Sequence, residues 1–106
     1  MNTGDIVEFI PEVFRRAGTH KWALRACEKG TLFRVIKREG NYVRVEMIDD
    51  LEVLAMLERD IGDNHLITLS QKNVRKLQNR EKLRELLKDG KISHESYLVS
   101  LTMAVD

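Results

Sequence analysis

The sequence has few of the residues that mark disulfide-bonded or membrane-bound proteins. It contains one cysteine, Cys27, so no disulfide can form within the chain, and a lone cysteine fits a reducing compartment. No apolar run approaches the roughly 20 residues that a membrane span needs. The first residues also lack the basic and then apolar pattern of a signal peptide. We therefore expect a cytoplasmic protein that does not enter a membrane.

The sequence also lacks the motifs that catalysis or a bound cofactor would need. Neither of the glycine-rich phosphate-binding patterns, GxxxxGK[ST] and GxGxxG, occurs. His20, His65 and His94 do not have the spacing of a helical zinc site, and Cys27 has no second thiol near it. Cys27 beside a histidine could act as a nucleophile, but a lone cysteine is more often a small buried residue. We expect no cofactor and no metal, and we predict that the protein is not an enzyme.

The charged residues are abundant and unevenly distributed. Charged side chains make up 33% of the chain and hydrophobic ones 42%, which is typical of one folded domain, while the net charge is only +1. Residues 12–44 are basic, 46–63 acidic and 71–91 basic again. Either these blocks neutralise one another in the fold, or a basic face is left to bind nucleic acid or an acidic protein.

Short β-rich segments dominate the first three quarters of the chain. The clearest are 31–38 and 41–48, which are joined by Gly40-Asn41, a pair that favours a tight hairpin turn. In the second of them, Val43 and Val45 alternate with Tyr42 and Arg44, so the two sets face opposite sides. Further strands are predicted at 5–10, 65–69 and 74–77. Residues 12–30 are interpreted as a long structured loop with an optional helical turn at 22–27, and 51–57 fits either a strand or a helix.

This order of segments resembles an SH3-like small β-barrel. The similarity lies in the string GDIVEF … GTLFRVIKREGNYVRVEM … ITLSQKNVRKL, with a single tight turn at 70–73 before the last strand. The resemblance implies five or six short antiparallel strands closing into a barrel within residues 1–78. It also implies a binding module for peptides, proteins or nucleic acids.

Residues 79–106 carry a helical pattern and are predicted to form an appended hairpin. Asn79 and Ser93 suit helix N-caps, and Gly90 suits the end of the first helix. The segment is similar to the short C-terminal helical hairpins of many bacterial proteins, which implies docking or oligomerisation. The fold class is thus mainly β with a C-terminal helical part, an α+β chain. The apolar residues expected to pack onto the barrel, or to form a homodimer, are Leu83, Leu86, Leu87, Tyr97, Leu98 and Leu101, with Val105 extending the second stripe.

Basic residues flank the one tryptophan and continue along the predicted hairpin. Cations around an exposed aromatic ring can bind single-stranded nucleic acid, whereas a buried Trp22 would only anchor the loop to the core. The candidate binding residues within 15–44 are Arg15, Arg16, Lys21, Trp22, Arg25, Arg34, Lys37, Arg38 and Arg44.

Taken together, these features predict a non-catalytic binding module that mediates protein–protein interaction as an adaptor or regulator. The alternative is a nucleic-acid-binding protein that uses the basic loop and hairpin. Binding to nucleic acid should weaken steeply with salt, whereas a hydrophobic protein interface should change little.

Overall fold

The computed structural model describes residues 1–14, 20–48, 50–61 and 66–101, and it shows an α+β fold built on one antiparallel sheet. The strand order is β4-β3-β2-β1-β5, so β4 and β5 form the two edges. The strands are β1 (Ile6–Phe9), β2 (Leu32–Glu39), β3 (Tyr42–Met47), β4 (Leu66–Ser70) and β5 (Val74–Lys76).

Helices lie between the strands and after the last of them. The described elements are α1 (Pro11–Phe14), α2 (Lys21–Lys29), α3 (Leu51–Ile61), a 3₁₀ turn (Gln71–Asn73), α4 (Arg80–Lys88) and α5 (His94–Leu101).

The first face of the sheet packs against α2 and α3. Alternate strand residues such as Phe33, Val35 and Val45 are fully buried there, and Val53 and Leu57 meet them from α3. These two α3 residues are four positions apart and therefore lie on one side of the helix. This cluster is the main core of the molecule.

The second face of the sheet is only partly covered, by α4 and α5. Ile6, Leu32 and Leu77 form a second core with Leu83 and Leu86 of α4, and Ile92 joins them from the connection between the helices. The tail therefore packs onto its own sheet, and predicted segments 1–78 and 79–106 share buried surface within the described residues.

The five antiparallel strands confirm the coarse prediction, but the predicted barrel closure is not confirmed because the sheet is open. A small barrel fills its interior with strand side chains and pairs both edges. Here α2 and α3 supply the apolar cover for the first face. With helices in that place, β4 and β5 can remain at opposite edges.

The prediction of a long loop at residues 12–30 missed most of a helix. The optional turn at 22–27 is part of the nine-residue α2, which buries Trp22, Ala23 and Ala26 on one side. It ends at Gly30, whose φ of 70° is left-handed and favours glycine. The ambiguous segment 51–57 belongs to α3.

The turn and cap predictions are confirmed where the structure describes them. Gly40 has a φ of 62° in the β2–β3 hairpin, and Gly90 has a φ of 73° after α4. The Asn79 side chain accepts a hydrogen bond from the Lys82 amide at 3.1 Å. Ser93 caps α5 in the same way by accepting from the Ser96 amide at 3.0 Å.

The apolar stripe predicted for the second tail helix is not its buried side. Ser96 and Ser100 are the buried residues of α5, while the Leu98 side chain is 52% exposed. Tyr97 and Leu101 are half-buried at the margin of the second core. Small serines let α5 approach the chain at Gly4, which a stripe of large side chains would prevent. Val105 lies outside the described residues.

Candidate functional site

The predicted basic residues do not form one surface. Lys21, Trp22 and Arg25 lie on α2, on the first side of the sheet. Arg34, Lys37 and Arg38 follow one another along β2, and Arg44 lies on β3. Arg15 and Arg16 lie outside the described residues. The structure therefore separates the loop cations from the hairpin cations.

Trp22 lies in the main core. Only 5% of the residue is exposed, and its ring centroid is 6.1 Å from that of Phe9. Its indole N–H has no hydrogen-bond partner within the described part of the chain. Because base stacking needs an exposed ring, this position supports the core-anchor alternative and not the stacking role.

The cations of α2 face the acidic start of α3. Lys29 donates hydrogen bonds to Asp50 and to Glu52, each at 2.9 Å, and Arg25 donates to Glu52 at 2.9 Å. Arg25 also lies 3.5 Å from Glu28. Part of the basic block is thus neutralised by the acidic block within the molecule.

These contacts shift the pKa values of the groups involved. The hydrogen bond to Asp50, followed by that to Glu52, raises the pKa of Lys29. Hydrogen bonds from Arg25 and then Lys29 lower the pKa of Glu52. Burial alone would raise the pKa of Asp50, but hydrogen bonds from Lys29, Thr31 and the Val53 amide outweigh it and lower the pKa.

Asp50 has a structural role as the cap of α3. Its carboxylate accepts from the Val53 amide at 3.1 Å and from the Thr31 hydroxyl at 2.7 Å. A carboxylate in this position satisfies an otherwise unpaired amide at the start of a helix. An aspartate directly before the apolar run 51–57 is an N-cap pattern, and this signal could have favoured the helix over the strand for that segment.

One candidate binding surface lies on the second face of the sheet, where α4 and α5 do not cover the strands. We call it the open face and define it by Lys37, Tyr42, Arg44 and Thr68. Tyr42 is 54% exposed, and Arg44 and Thr68 are also exposed. The Lys37 side chain is 68% exposed. An exposed aromatic ring beside a long cation is typical of protein interfaces, where tyrosine and arginine are enriched.

Two like charges lie opposite each other on the open face. The β2–β3 register pairs Lys37 directly with Arg44, just after a β-bulge between Val35 and Lys37. Like charges in directly opposed positions destabilise a sheet. Glu39 lies 3.7 Å from Lys37, whereas Arg44 has no ion pair among the described residues. By contrast, Arg34 on the same face is paired with Glu46.

The strand next to Arg44 is an open edge. Arg44 pairs with Thr68 of β4, and β4 has no further strand beside it in the described sheet. The segment LITLS contains neither a charged residue nor proline, the features that usually protect an edge from added strands. Tyr42 and Thr68 were not among the predicted site residues, because their proximity depends on β4 pairing with β3.

Two surface cavities hold polar side chains that are already engaged. One, of about 300 Å³, lies between α5 and β2, where Ser93 caps α5, Ser96 donates to the Gly4 carbonyl and Arg34 pairs with Glu46. The other, of about 420 Å³, includes the Arg75–Glu8 ion pair at 2.9 Å. Neither arrangement points to a reaction.

Cys27 and His94 lie on different helices of the described structure. Cys27 packs half-buried against the main core, and His94 begins α5 beside Tyr97. His65 lies outside the described residues. In the part of the chain that the structure describes, no group of three or more histidine, cysteine or acidic side chains could hold a metal ion.

The tail residues predicted to mediate interaction are mostly engaged within the molecule. Leu83 and Leu86 are buried in the second core, and Leu87, Tyr97 and Leu101 pack at its margin. Leu98 is the exposed member of this set.

Comparisons with protein-family models, with curated proteins and with solved structures find no match to this chain. Among the described helices, none is both long and apolar enough to cross a membrane.

Proposed function

We propose that the protein is a non-catalytic binding module that recognises a protein partner through the open face. The observation that carries the proposal is the exposed Tyr42 beside Arg44, on a half of the sheet that the described helices leave uncovered. A sheet face of this kind offers a rigid platform, because β3 lies between β2 and β4 and is anchored by Val43 and Val45 in the core.

The location of the other cations supports a site on the open face over one on α2. Arg25 and Lys29 are already bound to Asp50 and Glu52. A ligand would have to compete with those ion pairs, whereas Arg44 is available to a partner. A tyrosine and an arginine that become desolvated together are the kind of pair that contributes most of an interface's free energy.

Single-stranded nucleic acid is the second candidate ligand, and the opposed Lys37 and Arg44 favour it. A phosphate between two cations would relieve their repulsion, and a base could stack on Tyr42. Glu39 and Glu46 lie on the same side of the sheet, however, and reduce its positive charge. Protein is therefore the partner class that we favour.

A pull-down with and without nuclease tests the proposal on the full-length chain. The Tyr42→Ala/Arg44→Ala double variant should lose its partner, with binding weakened on the order of tenfold or more. The matched control is Leu24→Ala/Arg84→Ala, which removes an exposed apolar and an exposed basic residue from helices elsewhere.

The nuclease arm separates the two partner classes. If the wild-type chain keeps its partner after nuclease treatment and the double variant does not, the proposal is supported. Loss of all bound material on nuclease treatment would assign the open face to nucleic acid. Equal capture by both double variants would show that the open face is not the site.

A further inference from the structure

The open edge of β4 and the cations of the open face together suit one kind of ligand. We propose that β4 accepts an extended peptide segment as a sixth strand, and that an acidic side chain of this segment meets Arg44. This inference rests on the proposed function and specifies the chemistry of the protein partner.

The hydrogen-bonding pattern leaves the outer side of β4 available. The Gln71 amide donates to the Asn41 carbonyl at 3.0 Å, which fixes the alternation along the β3–β4 pair. In an antiparallel pair, hydrogen-bonded and non-hydrogen-bonded positions alternate. Leu69 and Ile67 therefore bond to β3, while the amide and carbonyl of Thr68 and Leu66 point away from it. No hydrogen bond joins these outward groups to any part of the chain that the structure describes.

The two sheet edges differ in how they are protected. β5 has only three residues, and two of them, Arg75 and Lys76, are charged. Short length and charge are the usual means of preventing strand addition. β4 has five uncharged residues. Of the two edges of the described sheet, the β4 edge therefore has the composition of a strand that can accept another, as in recognition by strand addition.

The register places Arg44 where it can select the added strand. A residue opposite Thr68 on a sixth strand would share the open face with Thr68, Arg44 and Lys37, in one row across the sheet. It would lie about 10 Å from the Cα of Arg44, two strand spacings of about 4.8 Å away. Arginine and glutamate side chains extended over the short Thr68 can close this gap. An acid there would also offset the repulsion between Arg44 and Lys37.

The test measures binding of synthetic peptides to the full-length chain by calorimetry. The probe is a capped peptide of alternating valine and glutamate. One control replaces every glutamate by lysine, and a second carries N-methyl groups on alternate amides, which removes backbone donors but keeps the charge. We expect the acidic peptide to bind and both controls to bind on the order of tenfold more weakly or worse.

Variants of the protein test each half of the proposal. Arg44→Glu should weaken binding of the acidic peptide about tenfold and improve binding of the lysine peptide. Thr68→Pro removes an outward amide without removing a bond to β3, and it should also prevent binding. If Thr68→Pro does not fold, reduced hydrogen exchange at the Leu66 and Thr68 amides of the wild-type chain on peptide addition gives the same information.

The outcomes distinguish this inference from the proposed function. Equal binding of the N-methylated peptide would leave the open face as a protein site and overturn strand addition at β4. Strand addition would also be overturned if the acidic peptide did not bind while capture in the pull-down still depended on Tyr42 and Arg44. Binding of an oligothymidylate in place of the peptide, lost in Arg44→Glu, would overturn both. A dimer that dissociates in Thr68→Pro would show that a second copy occupies the edge, and would also overturn the inference.

Discussion

Lys29 is one of the residues that join the basic block 12–44 to the acidic block 46–63. Its ammonium group contacts Asp50 and Glu52 at once, and its side chain is only 29% exposed. Asp50 in turn caps α3 and accepts from Thr31. One lysine thus connects the end of α2 to the start of α3, where partial burial makes such contacts more effective than fully exposed ion pairs.

The lowered pKa values of Asp50 and Glu52 predict a loss of stability in acid. Because the folded state holds both carboxyls below their usual pKa, the unfolded chain takes up protons first as the pH falls. Their contribution is complete above about pH 5 and is lost as the pH falls through 4 and below. Asp50→Asn should reduce the free energy of unfolding at pH 7 by about 1–2 kcal/mol and flatten this acid dependence.

Urea unfolding of both proteins at pH 7, 5 and 4 checks this expectation. Glu81→Gln, an exposed acid in the first turn of α4, serves as the control for the loss of one negative charge. Parallel pH profiles for the wild-type chain and Asp50→Asn would contradict the role given to this carboxylate.

At the scale of elements, α5 is held mainly by serines. The Ser100 hydroxyl accepts from the buried Ile6 amide at 3.2 Å, and the Ser96 hydroxyl donates to the Gly4 carbonyl. Gly4 has a φ of 94°, and a Cβ there would lie 3.7 Å from the Cα of Ser96. That is an ordinary contact distance, so the two serine hydroxyls, rather than the missing Cβ of Gly4, hold α5 against the start of β1.

Ser100→Ala should lower the free energy of unfolding by about 1–3 kcal/mol, because it leaves the buried Ile6 amide without its partner. Denaturant unfolding measures the change. Ser70→Ala is the control, since Ser70 accepts only a long 3.4 Å bond at an exposed site. If both variants lower the free energy of unfolding by the same small amount, the Ser100 contact contributes little to the docking of α5.

The strands and caps could be predicted from the sequence, because their signals are local. Val43 and Val45 alternate with exposed residues, and Asn79 and Gly90 have side-chain or backbone properties that suit helix ends whatever surrounds them. The length of α2 was missed because residues 12–30 have an irregular pattern, while its buried side depends on packing against the sheet. The buried side of α5 was predicted wrongly for a related reason. Hydrophobicity alone could not predict that serine hydroxyls would face the sheet and bond to the backbone of Gly4 and Ile6.

At the scale of the whole molecule, the open sheet depends on pairings between distant segments. The sequence could not show that β4 and β5 would be opposite edges, nor that two helices would cover the first face. Tyr42, Arg44 and Thr68 become one surface only through that topology. The basic residues therefore stay candidates, and the sequence could not predict that Arg25 would pair with the start of α3 while Arg44 lies on an open sheet face.

The tail helices offer the clearest test of the arrangement as a whole. Two helices this short are not stable alone in water, so α4 and α5 depend on the surface that they cover. That surface includes Ile6, Leu32 and Leu77 of the sheet. Truncation after Gln78 would expose all three, at a cost of about 4 kcal/mol or more, which is much of a small domain's total stability.

We therefore expect the truncated chain to have the solution mass of a monomer, like the full chain, and a much lower melting temperature. Light scattering and thermal unfolding measure these two properties. Leu98→Ala is the companion variant, because this leucine is exposed on α5 and its loss should leave stability nearly unchanged. If the full chain were a dimer, and both the truncation and Leu98→Ala converted it into a stable monomer, α5 would serve self-association. A destabilised monomer on truncation alone would establish that the tail is part of the same folded unit as the sheet.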